Sequence, residues 1–353
     1  DGGSGHIHIR PEQDILSVYR DRLAMRSQRL AEFAAIRDLK AISRDGKEVT
    51  LFMNAGLGLD VDNLDASGAA GVGLFRTEFQ FLVSETLPTL QEQEEYYRKV
   101  FETAGDRPVL FRTLDLGGDK LLTSGHQKEE NPALGWRSIR FALDKKGLFR
   151  RQLRALIRAS HGHTLSVMFP LVTTIAEFRE ARALLFKELA WSEMHDRPRP
   201  NNIRVGAMVE TPAFAFSFDD LAGELDFLSV GTNDLHQYFF AVDRDNPKLT
   251  DRYPILNKSF LLFLKDICAR ANAINVPISI CGEAAGDPKT AIVFALLGFR
   301  QLSMPASGVG PVKKTLRSIN ISELLINFEA ILGNKSAELE KDLLSLLKDY
   351  VQV

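Results

Sequence analysis

Short apolar runs alternate with amphipathic stretches through most of this sequence, and the alternation predicts the fold. Eight runs read as strands because they are nearly continuously apolar, as expected of parallel strands buried on both faces. They are Val49–Met53, Val72–Phe75, Val109–Arg112, Leu165–Phe169, Arg204–Val209, Phe227–Val230, Pro277–Ile280 and Gln301–Ser303. Helical segments lie between them, for example Leu90–Ala104, Ile175–Ala190 and Ser259–Ile274. This order favours an α/β fold of the (β/α)₈ TIM-barrel type over a doubly wound sheet.

Helical periodicity also extends beyond both ends of the barrel pattern. Pro11 to about Ser43 reads as a long helix or a helical pair, with apolar residues at mostly helical spacings among many charged ones. Ile321 to Tyr350 reads as one or two further helices. We therefore predict three parts, which are a linker and helix over residues 1–46, a barrel over 47–320 and C-terminal helices packed on the barrel over 321–353.

Composition narrows the functional class. The 353 residues are 45% apolar and 25% charged, as in ordinary globular proteins. The net charge of −2 provides no global basic field for nucleic acid or an anionic membrane, so anion binding must come from a local Arg cluster. No apolar run approaches the roughly 18 residues of a membrane span. Cys268 and Cys281 make no disulfide framework, so we expect a reducing, cytoplasmic setting.

Polar side chains follow the predicted strands at the points where the apolar runs end. Because catalytic groups of a TIM barrel sit at the C-terminal ends of its strands, we expect these side chains to meet on one rim. They are Asn54, Arg76, Glu78, Arg112, Asp115, Glu210, Asn233, Asp234, Cys281 and Glu283. Each also has a structural interpretation: an Arg in a salt bridge, Asn233 and Asp234 as a helix cap, or Cys281 as a small buried apolar residue.

The residue types on this rim indicate a class of ligand. Two or more guanidinium groups match a carboxylate and a phosphate bidentately. Glu210 and Asp234, on neighbouring predicted strands, offer hard oxygen ligands for Mg²⁺, which would polarise a substrate oxygen and stabilise an enolate. The expected ligand is therefore small, multiply anionic and able to form an enolate.

Six ordered segments carry a resemblance to a known family. They are Gly71–Phe79, Phe111–Lys120, Asn131–Arg140, Gly206–Pro212, Ser229–Leu235 with Ala241–Arg244, and Ile280–Asp287. With them, the chain resembles the C-terminal domain of Enzyme I of the bacterial phosphoenolpyruvate–sugar phosphotransferase system and related phosphoenolpyruvate-utilising enzymes. Three segments are more similar in sequence to the nitrogen-related branch of that family than to the sugar branch, namely Met168–Val172, Val205–Glu210 and Phe239–Arg244.

The resemblance implies a role for each matching residue. Arg76 and Arg112 would bind the substrate phosphate, and Arg244 its carboxylate or phosphate edge. Asn233 would add hydrogen bonds to the phosphate, and Lys120 and Arg137 would support the same anionic pocket. Glu210 and Asp234 would be the Mg²⁺ ligands. Cys281 would be the acid that protonates the enolate, since a thiol with a reference pKa of about 8.5 is largely protonated at neutral pH.

The resemblance also implies a reaction and its partners. Phosphoenolpyruvate would donate its phosphoryl group to a histidine on a separate N-terminal domain, releasing pyruvate, with a small histidine phosphocarrier protein downstream and a homodimeric assembly. The family's phosphoacceptor block, of the type Gly-Gly-x-Thr-Ser-His, does not occur in this sequence, and none of its seven histidines matches that block. For His236, two residues beyond Asp234, we favour continuation of a helix over a position in the pocket.

Two other functions are compatible with the same residues. One is a carbon–carbon lyase that binds a pyruvate enolate with Mg²⁺, although such an enzyme needs fewer phosphate-binding residues than Arg76, Arg112 and Arg244 supply. The other is a non-catalytic module that senses phosphoenolpyruvate or mediates dimerisation, although binding alone requires no proton donor such as Cys281.

Overall fold

Parallel strands close into a barrel in this computed structural model, which describes residues 7, 9, 12–84, 86–117, 129–244, 246–250, 252–334, 339–348 and 350. The strands follow one another in sequence order around the barrel, and the first pairs with the last from Thr50 beside Gln301 to Met53 beside Met304. The predicted (β/α)₈ barrel is therefore confirmed. The strands are β1 Thr50–Ala55, β2 Val72–Arg76, β3 Val109–Arg112, β4 Thr164–Phe169, β5 Asn202–Val209, β6 Phe227–Gly231, β7 Ile278–Cys281 and β8 Gln301–Met304.

Helices follow the strands and pack around the outside of the barrel. The helices are α1 Gln13–Ala35, α2 Gly58–Val61, α3 Leu64–Ser67, α4 Glu78–Val83, α5 Leu90–Ala104, α6 Ser138–Asp144, α7 Lys146–Ala159, α8 Ile175–Met194, α9 Pro212–Ala215, α10 Thr232–Phe240, α11 Pro247–Thr250, α12 Lys258–Ala273, α13 Pro288–Leu296, α14 Ala306–Ser318, α15 Ile321–Gly333 and α16 Leu339–Leu347. Short 3₁₀ turns cover Pro132–Leu134, Phe218–Leu221 and Glu283–Gly286.

Local sequence fixes where the outer helices begin. Thr89 accepts a hydrogen bond from the backbone N–H of Glu92, and the Glu92 carboxylate accepts one from the backbone N–H of Thr89 at 2.7 Å. Thr174 and Glu177 form the same reciprocal pair at the start of α8. These capping boxes satisfy backbone donors that have no partner within the helix, so α5 and α8 begin at a defined residue.

Two apolar clusters separate the inside of the barrel from its outside. The larger one lies between strands and helices and takes in the outward-facing strand residues, for example Val167, Ala207 and Val230. The smaller one consists of Leu74, Met168, Met208, Phe227 and Cys281. Because successive strand residues point to opposite faces, the second cluster is the filling of the barrel interior.

The N-terminal segment departs from the predicted length. The helix ends at Ala35 rather than near Ser43, and a short antiparallel bridge between Ile42 and Glu48 precedes β1. Buried Lys313 donates to the backbone carbonyls of Arg37 and Gly68, which joins this segment to α14.

The C-terminal segment forms two helices, the second of the two alternatives that the sequence left open. Leu324 and Phe328 of α15 and Leu339 and Leu343 of α16 are buried in the same cluster as the barrel residues. Among the described residues, no helix has both the length and the apolar character that crossing a membrane requires.

Candidate active site

A cavity of about 580 Å³ opens at the end of the barrel where the strands terminate. Its lining comes from the loops after most of the strands, so side chains far apart in sequence meet there. The lining residues include Asn54, Leu74, Arg76, Glu78, Phe79, Arg112, Asp115, Arg137, Met208, Glu210, Gly231, Asn233, Asp234, Arg244, Cys281, Glu283 and Pro305. The rim expected from the sequence is present.

Strand ends place the principal side chains of this cavity. Arg76 is the last residue of β2, Arg112 the last of β3 and Cys281 the last of β7. Glu210 directly follows β5, and Asp234 lies in the first turn of α10 after β6. Neighbouring strands share a register, for example Arg76 beside Arg112. The rigid barrel therefore fixes the separation of groups that the loops alone would leave variable.

Arg112 is held by two carboxylates. Its guanidinium forms an ion pair with Glu78 and a second one with Asp115 at 3.0 Å. All three side chains are at most 10% exposed, so the contacts lie in a region of low dielectric. Although burial opposes it, Arg112 and Arg137 hold the pKa of Asp115 well below its usual range. Arg112 is thus a permanently charged and rigidly oriented group.

A second network joins Arg137 and Arg244 to Asp234. Arg137 donates to Asp115 at 2.7 Å and lies 3.7 Å from Asp234. Arg244 donates to Asp234 at 2.9 Å. The Arg244 side chain is 42% exposed, whereas the Arg137 side chain is 14% exposed. Arg137 is therefore part of the fixed frame, and Arg244 lies at the open edge of the cavity.

Arg76 differs from the other arginines of the cavity. Its Nε atom, like that of Arg112, is buried without a hydrogen-bond partner, but its guanidinium carbon lies over an aromatic ring, 4.9 Å from the centre of Phe79. Among the residues that the structure describes, no carboxylate forms an ion pair with Arg76. A charged group held over an aromatic face without an anion is available to bind one.

Glu210 is a buried carboxylate in an unfavourable electrostatic setting. Burial, together with the nearby charges of Asp234 and Asp115, raises the pKa of Glu210 well above its usual value. Its Oε1 accepts a hydrogen bond from the backbone N–H of Leu171, a residue at φ +53°. A left-handed conformation costs a non-glycine residue about 1–2 kcal/mol, and here it orients the N–H toward the carboxylate.

These carboxylates fit a divalent cation as a ligand pair. Glu210 and Asp234 are hard oxygen donors whose mutual repulsion a cation between them would relieve. Gly231 leaves the necessary space, since a side chain there would meet Glu210 Oε2 at 2.8 Å. Within the described ranges, no three His, Cys, Asp or Glu side chains converge on one point. A bound cation would therefore need further ligands from the substrate or from water.

Cys281 forms part of the cavity floor. The residue is 2% exposed, and its thiol lies 3.4 Å from the carbonyl oxygen of Val230. Burial raises the pKa of the Cys281 thiol to about 11, although a hydrogen bond from Ser229 opposes the shift. Gly231 lies opposite Cys281 in the strand register, so no side chain from that position covers the thiol. The group is protonated at neutral pH and faces the cavity.

The structure brings together nearly all of the residues selected from the sequence. Arg76, Arg112, Arg137, Asn233, Arg244, Glu210, Asp234 and Cys281 all line the one cavity. Lys120 lies outside the described residues. His236 is in α10 and packs edge-on against Phe260 with its ring centre 5.2 Å away, so the helix interpretation is confirmed.

Sequence reasoning missed the groups that hold the cavity residues in place. Glu78 and Asp115 appeared only as rim residues; the ion pair of Arg112 with Asp115 joins residues three apart, whereas the ion pair with Glu78 depends on contact between the ends of two strands. The hydrogen bond from Ser229 to the Cys281 thiol, at 3.0 Å, was also missed. No spacing along the chain signals this contact, because Ser229 lies on β6 and Cys281 on β7.

Comparison with known proteins gives consistent similarities. A family model described as PEP-utilising enzyme, PEP-binding domain, matches residues 30–321. The phosphoenolpyruvate-protein phosphotransferase of Haemophilus influenzae is 38% identical over 340 residues, which are 96% of this chain and 59% of that protein. The protein of the same name from Staphylococcus carnosus is 39% identical over 326 residues, 92% of this chain and 57% of that protein. The chain thus spans less than two thirds of the length of these relatives.

A solved structure gives a more distant similarity. The HpcH/HpaI aldolase/citrate lyase family protein from Burkholderia cenocepacia aligns at 16% identity and a TM-score of 0.45, covering 75% of this chain and 91% of that one.

Proposed function

Because this chain belongs to the PEP-utilising enzyme family as a PEP-binding domain, we propose that it binds phosphoenolpyruvate with Mg²⁺ and supplies the phosphoryl group to a histidine on a separate domain, releasing pyruvate. The observation that most directly carries this proposal is a buried, protonated thiol at the floor of a cavity lined by four arginines. Such a cavity combines anion binding with a proton donor, which is the chemistry that an enolate product requires.

Substrate binding would rest on the guanidinium groups. Arg76, which has no carboxylate partner among the described residues, would bind the phosphate. Arg112, oriented by Glu78 and Asp115, would donate its remaining N–H groups to the same phosphate. Arg244 at the open edge would bind the carboxylate or the outer phosphate edge, with Asn233 adding hydrogen bonds. Bidentate contacts of this kind fix orientation as well as charge.

The charge balance of the cavity supports a cation as part of the complex. Four arginines face five carboxylates in the lining, namely Glu78, Asp115, Glu210, Asp234 and Glu283. A multiply anionic substrate would add further negative charge to a lining that is not positive overall. When bound by Glu210 and Asp234, a divalent cation supplies charge stabilisation to the substrate oxygen that becomes the enolate oxygen.

Cys281 would complete the reaction by donating its proton. Once the phosphoryl group has left, the remaining enolate needs a proton on its methylene carbon to become pyruvate. The Sγ–H bond breaks, a C–H bond forms, and the thiol becomes a thiolate. A pKa of about 11 keeps the proton on the thiol until this step. Leu74 and Met208 beside the thiol form an apolar surface suited to the methylene group.

The partners of the reaction are part of the proposal. The acceptor histidine would belong to a separate N-terminal domain, because none of the seven histidines here matches the expected phosphoacceptor block. A small histidine phosphocarrier protein would take the phosphoryl group onward, and the domain would act as a homodimer. These partners follow from the family resemblance alone, as does membership of the nitrogen-related branch.

Two measurements test the proposal. Calorimetry with phosphoenolpyruvate should show binding that strengthens when Mg²⁺ is added. Pyruvate should form only when a phosphoacceptor histidine domain is supplied in trans. Cys281→Ala should abolish pyruvate formation and leave phosphoenolpyruvate affinity nearly unchanged. Cys268→Ala is the matched control, because that buried cysteine lies in α12 outside the cavity.

The outcomes separate the proposal from its alternatives. Equal loss of binding and turnover in Cys281→Ala would contradict a proton-donor role. Binding without pyruvate, even with the histidine domain present, would favour a sensing module. Formation or cleavage of a carbon–carbon bond in the absence of the histidine domain would favour a lyase.

A further inference from the structure

Cys281 must regain a proton after each turnover, and its surroundings restrict how this can happen. The residue is 2% exposed, and its open side faces the cavity that the reaction product occupies. Burial disfavours the charged thiolate, so the group needs a proton donor within hydrogen-bonding distance.

Two serine hydroxyls reach the thiol from inside the barrel. Ser229 donates to Cys281 Sγ at 3.0 Å, and Ser279 donates to Ser229 Oγ at 3.0 Å. Ser229 and Ser279 are paired in the register of β6 and β7, and Cys281 lies two residues beyond Ser279 on the same face. The three groups form a continuous chain that runs from the thiol toward the amino-terminal ends of the strands.

The two serines differ in their exposure to solvent. Ser229 is fully buried, whereas Ser279 is 9% exposed. Ser279 is not one of the described residues that line the cavity. The far end of the chain therefore has some contact with solvent that does not pass through the substrate position.

We propose that Ser229 and Ser279 form a hydroxyl relay that returns a proton to Cys281 between turnovers, an inference that rests on the proposed function. The Ser229 hydroxyl gives its proton to the Cys281 thiolate, Ser279 gives its proton to Ser229, and water gives one to Ser279. Each serine hydroxyl loses one proton and gains one, so the net change is one proton moved from water to Sγ, with hydroxide left in the bulk solvent. Both serines are positioning and proton-conducting residues that do not touch the substrate.

This arrangement predicts a difference between the first turnover and later ones. A thiol that already carries its proton needs no relay for the first enolate. Ser279→Ala should therefore make the first pyruvate per chain at the wild-type rate and all later ones at least about tenfold more slowly, in the range that proton-transfer groups contribute. Ser279 is the better probe because its hydroxyl contacts Ser229 rather than the thiol itself.

The experiment is rapid-quench measurement of pyruvate with phosphoenolpyruvate, Mg²⁺ and the histidine domain supplied in excess. Ser279→Thr, which keeps a hydroxyl, should restore steady turnover. Ser166→Ala is the matched control, since Ser166 lies on the inward face of β4 without a contact to the relay. Thermal unfolding verifies that each variant is folded, and Ser229→Ala supplies a second interruption of the same chain.

The results distinguish a proton-relay role of Ser229 and Ser279 from a purely structural role. A burst of one pyruvate followed by slow turnover in Ser279→Ala, absent in Ser166→Ala, supports the relay. Wild-type kinetics at every turnover in both Ser279→Ala and Ser229→Ala overturn the relay and leave the proposed function intact. A first turnover slowed as much as the later ones also overturns it. No pyruvate from the unmodified chain overturns the proposed function, and the relay with it.

Discussion

Arg76 and Arg112 lie side by side at the ends of β2 and β3 but have opposite electrostatic surroundings. Arg112 is neutralised by Glu78 and Asp115, whereas Arg76 has no carboxylate partner among the described residues. The same residue type therefore serves two purposes. Arg112 stabilises and orients the cavity wall, and Arg76 provides the positive charge that remains for a ligand.

Replacing Arg76 should affect binding but not stability. Arg76→Ala should weaken phosphoenolpyruvate binding by about tenfold to about a hundredfold, because hydrogen bonds to a charged group contribute about 1.5–3 kcal/mol. The melting temperature should be nearly unchanged, since no ion pair is broken. Calorimetry and thermal unfolding measure the two quantities, and Arg151→Ala on the exposed face of α7 is the control. Unchanged affinity in Arg76→Ala would remove this residue from the site.

Replacing Arg112 should reduce both phosphoenolpyruvate binding and stability. Arg112→Ala leaves Glu78 buried without its cation and leaves Asp115 paired with Arg137 alone, and breaking a buried ion pair in this way costs about 3–5 kcal/mol. We expect a large drop in the free energy of unfolding in urea, in addition to lost phosphoenolpyruvate binding. A variant that loses binding while keeping wild-type stability would contradict the structural role assigned to this ion-pair network.

Glu210→Gln should separate two effects of the buried carboxylate charge, which are its cost to folding stability and its contribution to Mg²⁺ binding. Without metal, the variant should be more stable than the parent at neutral pH, because the carboxylate charge that burial and Asp234 disfavour is gone. The amide oxygen can still accept the hydrogen bond from Leu171. The stabilisation that Mg²⁺ with phosphoenolpyruvate gives the parent should disappear. A wild-type response to Mg²⁺ in thermal melts would contradict the ligand assignment.

At the scale of elements, one side chain attaches the C-terminal helices to the turn before the barrel. The Asp45 carboxylate accepts hydrogen bonds at 2.9 Å from the backbone N–H groups of Ile321 and Ser322 at the start of α15. It also accepts from the hydroxyls of Ser43 and Ser322. Although desolvation opposes it, these contacts hold the pKa of Asp45 well below its usual value.

Asp45→Asn should therefore destabilise the protein in a pH-dependent way. Asparagine keeps one acceptor oxygen but loses the charge and the second acceptor, so we expect a cost of about 1 kcal/mol, the difference between hydrogen bonds to charged and to neutral groups. Because the folded-state pKa is depressed, the stability from the Asp45 carboxylate is present above the unfolded value of about 3.9 and is lost as pH falls through the folded value. Urea unfolding should show a constant difference between the two proteins from pH 5 to 7, within the plateau above both values. The difference should shrink below pH 4; an increase there would contradict this account.

At the scale of the whole molecule, the C-terminal helices share one apolar core with the barrel. Leu343 of α16 is fully buried in the cluster that also contains the outward-facing strand residues. Leu344, its neighbour, is 36% exposed. A shared core predicts a single cooperative transition rather than separate unfolding of residues 321–353, which sequence analysis treated as a distinct part.

Leu343→Ala should shift that whole transition. The cavity left by the side chain should cost about 2–5 kcal/mol, whereas Leu344→Ala should cost far less. Fluorescence of Trp136 and Trp191, both outside α15 and α16, and far-UV circular dichroism should report the same midpoint in urea. Two separate midpoints would show that the C-terminal helices unfold independently.

The sequence by itself determined the barrel, most of its strand ends and the membership of the cavity. Strands buried on both faces must be continuously apolar, so the first polar residue after each run marks the point where the chain leaves the barrel. That is why Arg76, Arg112, Glu210 and Cys281 could be selected before their positions were known. The capping pairs of Thr89 and Thr174 fixed helix starts in the same local way.

Only the tertiary structure decided how those residues are connected. The pairing of Arg112 with Glu78 and the contacts from Ser279 through Ser229 to Cys281 join separate strands and loops. The lack of a carboxylate partner for Arg76 among the described residues depends on the same packing. Charge and hydrogen bonding depend on distances of a few ångströms, which no periodicity along the chain specifies. The sequence specifies the type of each residue, but the closure of the barrel determines which ion-pair or hydrogen-bond partner it meets.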